Sequence, residues 1–188
     1  MAMETHACAL CRQTRFRFSR AIALGHYQGA LRAAVLRMKH ASERYLACAV
    51  GELLAEHAQG QLDEGRPDLL VSTPMHWWRR LRRGGSTTEA ITEVMADRMA
   101  ICQGTSIFRC RRNTKKQSTL APADRRRNVS GAYTISESYD LVDAHVGLVD
   151  DTLTTGATAN ELSKLLLLAG ARRVTLFVVA RAMGGAGS

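Results

Sequence analysis

The sequence predicts an α/β fold built on a mostly parallel central sheet flanked by helices. Three observations lead there. Strand-like apolar runs alternate with segments of helical period along the chain. The runs at 68–73, 146–149 and 174–180 each hold a stretch of consecutive apolar residues, as strands covered on both faces do. Finally, the stretch V-G-L-V-D-D-T-L-T-T-G-A-T at 146–158 sets out a strand, an acidic pair, a Thr/Gly loop and a helix start, in that order. Parallel α/β sheets bind ligands beyond the carboxyl ends of their strands, where such a loop would lie.

Taken in order, residues 1–26 carry cysteines and arginines without a clear period. Cys8 and Cys11 have the spacing of half a zinc site. A structural zinc takes four Cys or His ligands, and His6 and His26 are the nearby additions. A pair of free thiols is the reading favoured over a partial zinc site. Arg12, Arg15, Arg17 and Arg20 interleave with Phe16 and Phe18. That pattern suits stacking on single-stranded bases, and equally a basic edge strand.

Helices are expected over 27–39, with Tyr27, Leu31, Ala34, Val35 and Met38 on one face, and over 43–59, with Leu46, Val50, Leu53 and Leu54. A loop at 59–67 leads to the strand at 68–73, stopped by Pro74. Arg79, Arg80, Arg82 and Arg83 load the next loop with positive charge. A helix is expected over 87–101 and a strand over 105–110. The segment 111–129 is the most basic and least periodic; it reads as a solvated loop, and also as a lid for a diphosphate site. A short strand at 131–135, the strand and helix around the acidic pair (helix 160–170) and a strand at 174–180 complete the pattern. The expected division is an N-terminal segment at 1–26, one domain at 27–182 and a flexible tail at 183–188.

The totals bound the function. The chain has 188 residues, enough for one domain. Its hydrophobic fraction of 46% allows a packed core, and its net charge of +9 favours anionic partners such as phosphates or nucleic acid. Five cysteines with a single C-x-x-C pair do not make a disulfide framework, which points to a reducing, cytoplasmic setting. No apolar run is long enough to span a bilayer, so membrane insertion is not expected.

The chemistry lies in the late loop. A helix start presents unpaired N–H groups and the positive end of a dipole, and so attracts an anion. Gly156 allows close approach, and Thr154, Thr155 and Thr158 offer hydroxyls. Asp150 and Asp151 would repel phosphate, but they suit sugar hydroxyls or a metal. A sugar phosphate satisfies both halves. Two other phosphate chemistries fit less well. A haloacid-dehalogenase phosphatase needs Asp-x-Asp, and here the acids are adjacent. A response-regulator receiver needs a later phospho-acceptor Asp, and none follows Asp151.

The stretch at 146–158 resembles the 5-phosphoribosyl diphosphate (PRPP) motif of type I phosphoribosyltransferases. Further stretches resemble one branch, the ComF family of competence-associated phosphoribosyltransferase-like proteins: Y-Q-G-A-L-R-A-A-V-L-R-M-K-H at 27–40, S-T-P-M-H at 72–76, and the arginine-rich run at 111–133 with Gln117, Leu120, Arg125, Asn128, Val129 and Gly131. The C-x-x-C at Cys8 and Cys11 resembles the remainder of that family's zinc ribbon.

This resemblance implies a type I phosphoribosyltransferase-like fold and PRPP as ligand. Asp150 and Asp151 would hold the ribose hydroxyls, with Thr152, Thr154, Thr155, Gly156, Ala157 and Thr158 forming the rest of the PRPP site. Pro74, Arg82, Arg83, Lys115 and Lys116 would lie near the diphosphate. Mg²⁺ is implied as well, bridging diphosphate and ribose and reaching Asp150 and Asp151 only indirectly. Where purine-salvage enzymes place an acidic base, this chain has Thr154, which disfavours a 6-oxopurine acceptor. The expected function is phosphoribosyl transfer to an unknown acceptor. The alternative is a protein that handles nucleic acid during DNA uptake, with single-stranded DNA as partner and the pocket kept as a sensor or relic.

Overall fold

The computed structural model describes residues 16–62, 65–74, 86–111 and 122–182. The elements run β1 (Arg20–His26), α1 (Gly29–Arg37), a 3-10 turn (Ala41–Glu43), α2 (Arg44–Gln59), β2 (Leu69–Ser72) and α3 (Thr87–Met99). They continue with β3 (Cys102–Gly104), β4 (Phe108–Cys110), α4 (Pro122–Val129), β5 (Tyr133–Ile135), β6 (His145–Leu153), α5 (Ala157–Leu168) and β7 (Arg173–Arg181). Five strands form one parallel sheet in the order β1-β7-β6-β2-β3. β4 and β5 pair antiparallel beside it.

Strand alternation distributes the sheet's side chains between two cores. Ile22, Leu70, Val149, Phe177 and Val179 pack with α1, α2 and α3 through Val35, Met38, Leu54, Ile91 and Met95. Val71, Val146, Leu148, Leu176 and Val178 pack on the other face with α5 through Leu162 and Leu166. Because both faces are covered, β6 and β7 can carry consecutive apolar residues, at Val146–Val149 and Leu176–Ala180, as the sequence pattern required. Gly147 lies at the crowded centre. A Cβ there would come within 2.4 Å of Leu70 and 2.8 Å of Phe177, so only glycine lets β6 sit between them.

The helix ends follow local rules. Ser86 accepts a hydrogen bond from the Glu89 N–H at 3.3 Å and starts α3. Ala100 closes that helix with φ at 51°, a left-handed conformation that an L side chain adopts at a cost. Pro122 opens α4, where its missing N–H is harmless.

The edge-strand reading of the arginine-bearing N-terminal stretch is met at Arg20–His26, which form edge strand β1, parallel to β7, so the sheet begins before residue 27. Several other expectations need correction. The strand expected over 105–110 is confined to β4 at Phe108–Cys110; β3 at Cys102–Gly104 precedes it, and Ser106 at φ 58° lies between the two. The loop expected over 111–129 contains helix α4, whose Val129 joins the core around α5. Helix α5 begins at Ala157, three residues before position 160. Among the described residues, no helix is long and apolar enough to cross a membrane.

Candidate functional site at the junction of β2 and β6

β2 and β6 are neighbours, yet the helices that follow them lie on opposite faces of the sheet: α3 on one, α5 on the other. The chain therefore parts at the carboxyl ends of these two strands. Open parallel sheets form their ligand crevice at such a point.

The acids sit inside the strand rather than at its end, where the sequence placed them. β6 continues to Leu153, and Asp150 is paired with Val178 of β7. On the other side the regular pairing with β2 stops at Ser72 and Val149, and Thr73 adds one more bond from its N–H to the Val149 carbonyl at 2.9 Å. β2 is the shorter strand, and its end uncovers one edge of β6 where the acids begin.

Successive residues of a strand face opposite ways, so the two carboxylates diverge. Asp150 follows Leu148 toward the α5 side. Its Oδ1 accepts from the Thr73 hydroxyl at 2.9 Å and from the Asp151 N–H at 2.8 Å. Asp151 follows Val149 toward the α1 side. There Oδ2 meets Lys39 Nζ at 3.2 Å, and Oδ1 accepts from the Thr152 hydroxyl at 2.9 Å.

Burial pushes the Asp150 carboxyl up, and the charge of Asp151 beside it pushes further; the Asp151 N–H, the Thr73 hydroxyl and Lys39 pull back, leaving it at about 7. Asp150 still keeps part of its surface in solvent. A carboxyl poised near neutrality in a ligand crevice is a recurrent mark of a working site.

The loop after the acids delivers a helix start. Gly156 is the N-cap of α5 with φ at 71°, and it supplies no side-chain cap. No acidic residue lies in the first turn. The Ala157 N–H donates to the Thr155 hydroxyl at 3.4 Å. A helix start whose N-cap residue offers no side-chain cap suits an anion. Thr154 is exposed, Thr155 is half-buried, and Thr158 stands within the first turn. Gly156 is required twice over, by its positive φ and by Phe16. A Cβ at 156 would meet the Phe16 ring at 2.6 Å.

Phe16 stacks on Phe18 with ring centres 4.7 Å apart, and the Arg17 N–H donates to Asn160 Oδ1 at 2.7 Å. The segment entering β1 is thereby fastened across the first turn of α5.

The structure thus brings Asp150, Asp151, Thr152, Thr154, Thr155, Gly156, Ala157 and Thr158 into one strand–turn–helix unit. Pro74 lies two residues beyond β2, next to Thr73. Cys8, Cys11, Arg82, Arg83, Lys115 and Lys116 lie outside the described residues, as does the tail at 183–188. Thr73 and Lys39 were not singled out from the sequence. Each meets an acid across a long stretch of chain, and no local pattern announces such a contact.

The donor set bears on magnesium. Among the described residues, no three His, Cys, Asp or Glu side chains converge on one point. Both oxygens of Asp151 and one of Asp150 already accept hydrogen bonds or an ion pair. These residues do not form a direct cage for the ion. They fit one that enters on a ligand's own oxygens.

Fold and site together define a parallel α/β protein with an acid-bearing strand and a helix start lacking a side-chain cap at its crevice. Over most of its length, the chain is similar to two named bacterial proteins. It is 26% identical over 179 residues to Competence protein F of Haemophilus influenzae, covering 93% of this chain and 78% of that protein. It is 28% identical over 180 residues to DNA utilization protein YhgH of Escherichia coli strain K12, covering 94% of this chain and 78% of that protein. The competence-associated resemblance expected from the sequence is therefore met. No protein-family model matches the chain.

Similar solved structures include a glutamine PRPP amidotransferase from B. subtilis, with TM-score 0.47 and 18% identity over 70% of this chain and 25% of that one. A hypoxanthine phosphoribosyltransferase from Staphylococcus aureus has TM-score 0.46 and 11% identity over 72% of this chain and 74% of that one.

Proposed function

We propose that this chain binds PRPP and is a phosphoribosyltransferase-like protein, transferring the phosphoribosyl group to an acceptor and releasing diphosphate. One observation carries the reading: adjacent carboxylates on β6 lead within a few residues to the uncapped start of α5. A ligand with hydroxyls at one part and a phosphate at another fits that unit. Asp150 and Asp151 orient the ribose and favour positive charge developing at its C1. The turn at Thr154, Thr155 and Gly156 and the start of α5 anchor the 5-phosphate, which positions the reacting carbon from a remote group. Mg²⁺, when bound with the ligand, would neutralise the diphosphate charge, and Asp150 and Asp151 would reach it only indirectly.

Isothermal titration with PRPP and Mg²⁺ tests the reading on the wild type and on the Asp150→Asn/Asp151→Asn double variant. Binding by the wild type alone is expected. Equal binding by both would remove the acidic pair from the site.

A second reading is favoured by the names of the relatives and by the net charge of +9. Here the chain serves DNA uptake, contacts single-stranded DNA and uses the PRPP pocket as a sensor. A cytoplasmic location agrees with both readings.

A further inference from the structure

The two faces of β6 offer an anion two separate places to bind. On the α5 side lies the helix start after Gly156, which has no side-chain cap, together with Asp150. On the α1 side, Asp151 is met by Lys39. Acids therefore occupy the middle of the crevice, with a positive pole on either side. A simple sugar monophosphate would use only one pole. A ligand with a hydroxylated centre and an anionic group at each end would use both.

Lys39 is placed for this role by more than its ion pair. It follows α1 directly, after the buried Met38. The Met38 carbonyl accepts from the Thr87 hydroxyl at 2.8 Å, and the Lys39 N–H reaches the Leu36 carbonyl at 3.4 Å. The root of the side chain is thus tied to the last turn of α1 and to the start of α3. Its side chain is 32% exposed, so the ammonium group can be reached by solvent and by a ligand. Among the described residues, it supplies the cation that meets the acidic pair.

We propose that Lys39 is a ligand-binding residue of this site and takes the diphosphate of PRPP, while the 5-phosphate lies at the start of α5. This deepens the PRPP reading and rests on it. In the free protein, Lys39 neutralises Asp151. When ligand enters, Nζ turns to the diphosphate oxygens, and Asp151 Oδ2 is released to accept from a ribose hydroxyl. One cation thereby protects the acid when the site is empty and holds the leaving group when it is full. No bond is made or broken in this exchange.

The experiment compares PRPP and ribose 5-phosphate binding to the full chain, as wild type, Lys39→Gln and Lys39→Arg. The two ligands share the 5-phosphate and differ in the diphosphate. Lys39→Gln is expected to lose at least tenfold in PRPP affinity and to stay within about threefold for ribose 5-phosphate. Lys39→Arg, which keeps the charge, is expected to retain most PRPP affinity and guards against a folding defect in the glutamine variant. Equal losses for both ligands, or no loss for PRPP, would overturn the role of Lys39 while leaving PRPP binding in place. Failure of the wild type to bind either ligand would instead remove the PRPP reading, and this assignment with it.

Discussion

Asp150→Asn separates what the acid does for the fold from what it does for a ligand. The carboxyl moves from an ordinary 3.8 to about 7 on folding. A raised acid is easier to keep protonated in the native state than in the unfolded one. Its contribution to stability is therefore fully present below about pH 4 and is lost as pH rises through 7. Three units at full burial correspond to about 4 kcal/mol. Asp150 keeps part of its surface in solvent, which screens the charge, and about 2 kcal/mol is the expected cost above neutrality.

Asparagine keeps an oxygen for Thr73 and for the Asp151 N–H but cannot ionise. The variant should match the wild type at pH 4 and melt roughly 4–8 °C higher at pH 8. Thermal melts by circular dichroism from pH 4 to 8.5 provide the measurement. A difference that does not change with pH, or a variant less stable at pH 8, would refute this account of Asp150. The same variant should bind PRPP more weakly, since a charged acceptor is lost where the sugar would lie. A gain in stability paired with a loss of binding is the signature of a site held under electrostatic strain.

Other substitutions test neighbouring features. Gly156→Ala should cost about 2–4 kcal/mol, from a left-handed alanine and from overlap with the Phe16 ring, and a urea melt would reveal it as a lower midpoint. Ala100→Gly should stabilise by about 0.5–1 kcal/mol, because glycine accepts the left-handed close of α3; no gain in melting temperature would count against the strain assigned there. If the chain contacts single-stranded DNA through its basic charge, affinity should fall steeply and linearly in log–log form between 50 and 200 mM salt, read by fluorescence anisotropy. Binding insensitive to salt would exclude an electrostatic contact.

Much of the fold was legible because the chain obeys local rules where its core is built. The continuous apolar runs of β6 and β7 could only be doubly covered strands, and the helical spacing of α1, α2 and α3 was plain. β1 was legible only as one of two readings, because its charged and small residues, Arg20, Ala21 and Gly25, dilute the apolar signal of a strand. Helix α4 was masked by the arginines of an otherwise aperiodic segment, although Pro122 marked its start. The break at Ser106 carries neither glycine nor proline. Within the site, the acids and the turn were visible as a local string. Their position inside β6 was not, because it is the short length of β2 that uncovers them. Thr73 and Lys39 lie 77 and 112 positions before the acids they meet, a separation that only the folded sheet closes.

The ring of Phe16 seated on Gly156 has a consequence for how this chain can be handled. The backbone ahead of β1 is moored to the turn that would hold a phosphate, by an aromatic contact and by the bond from Arg17 to Asn160. A shortened chain starting at Tyr27 would forfeit the outermost strand and also unroof the turn. Tension or docking applied upstream of Phe16 would be transmitted to that turn through a tether only a few residues long.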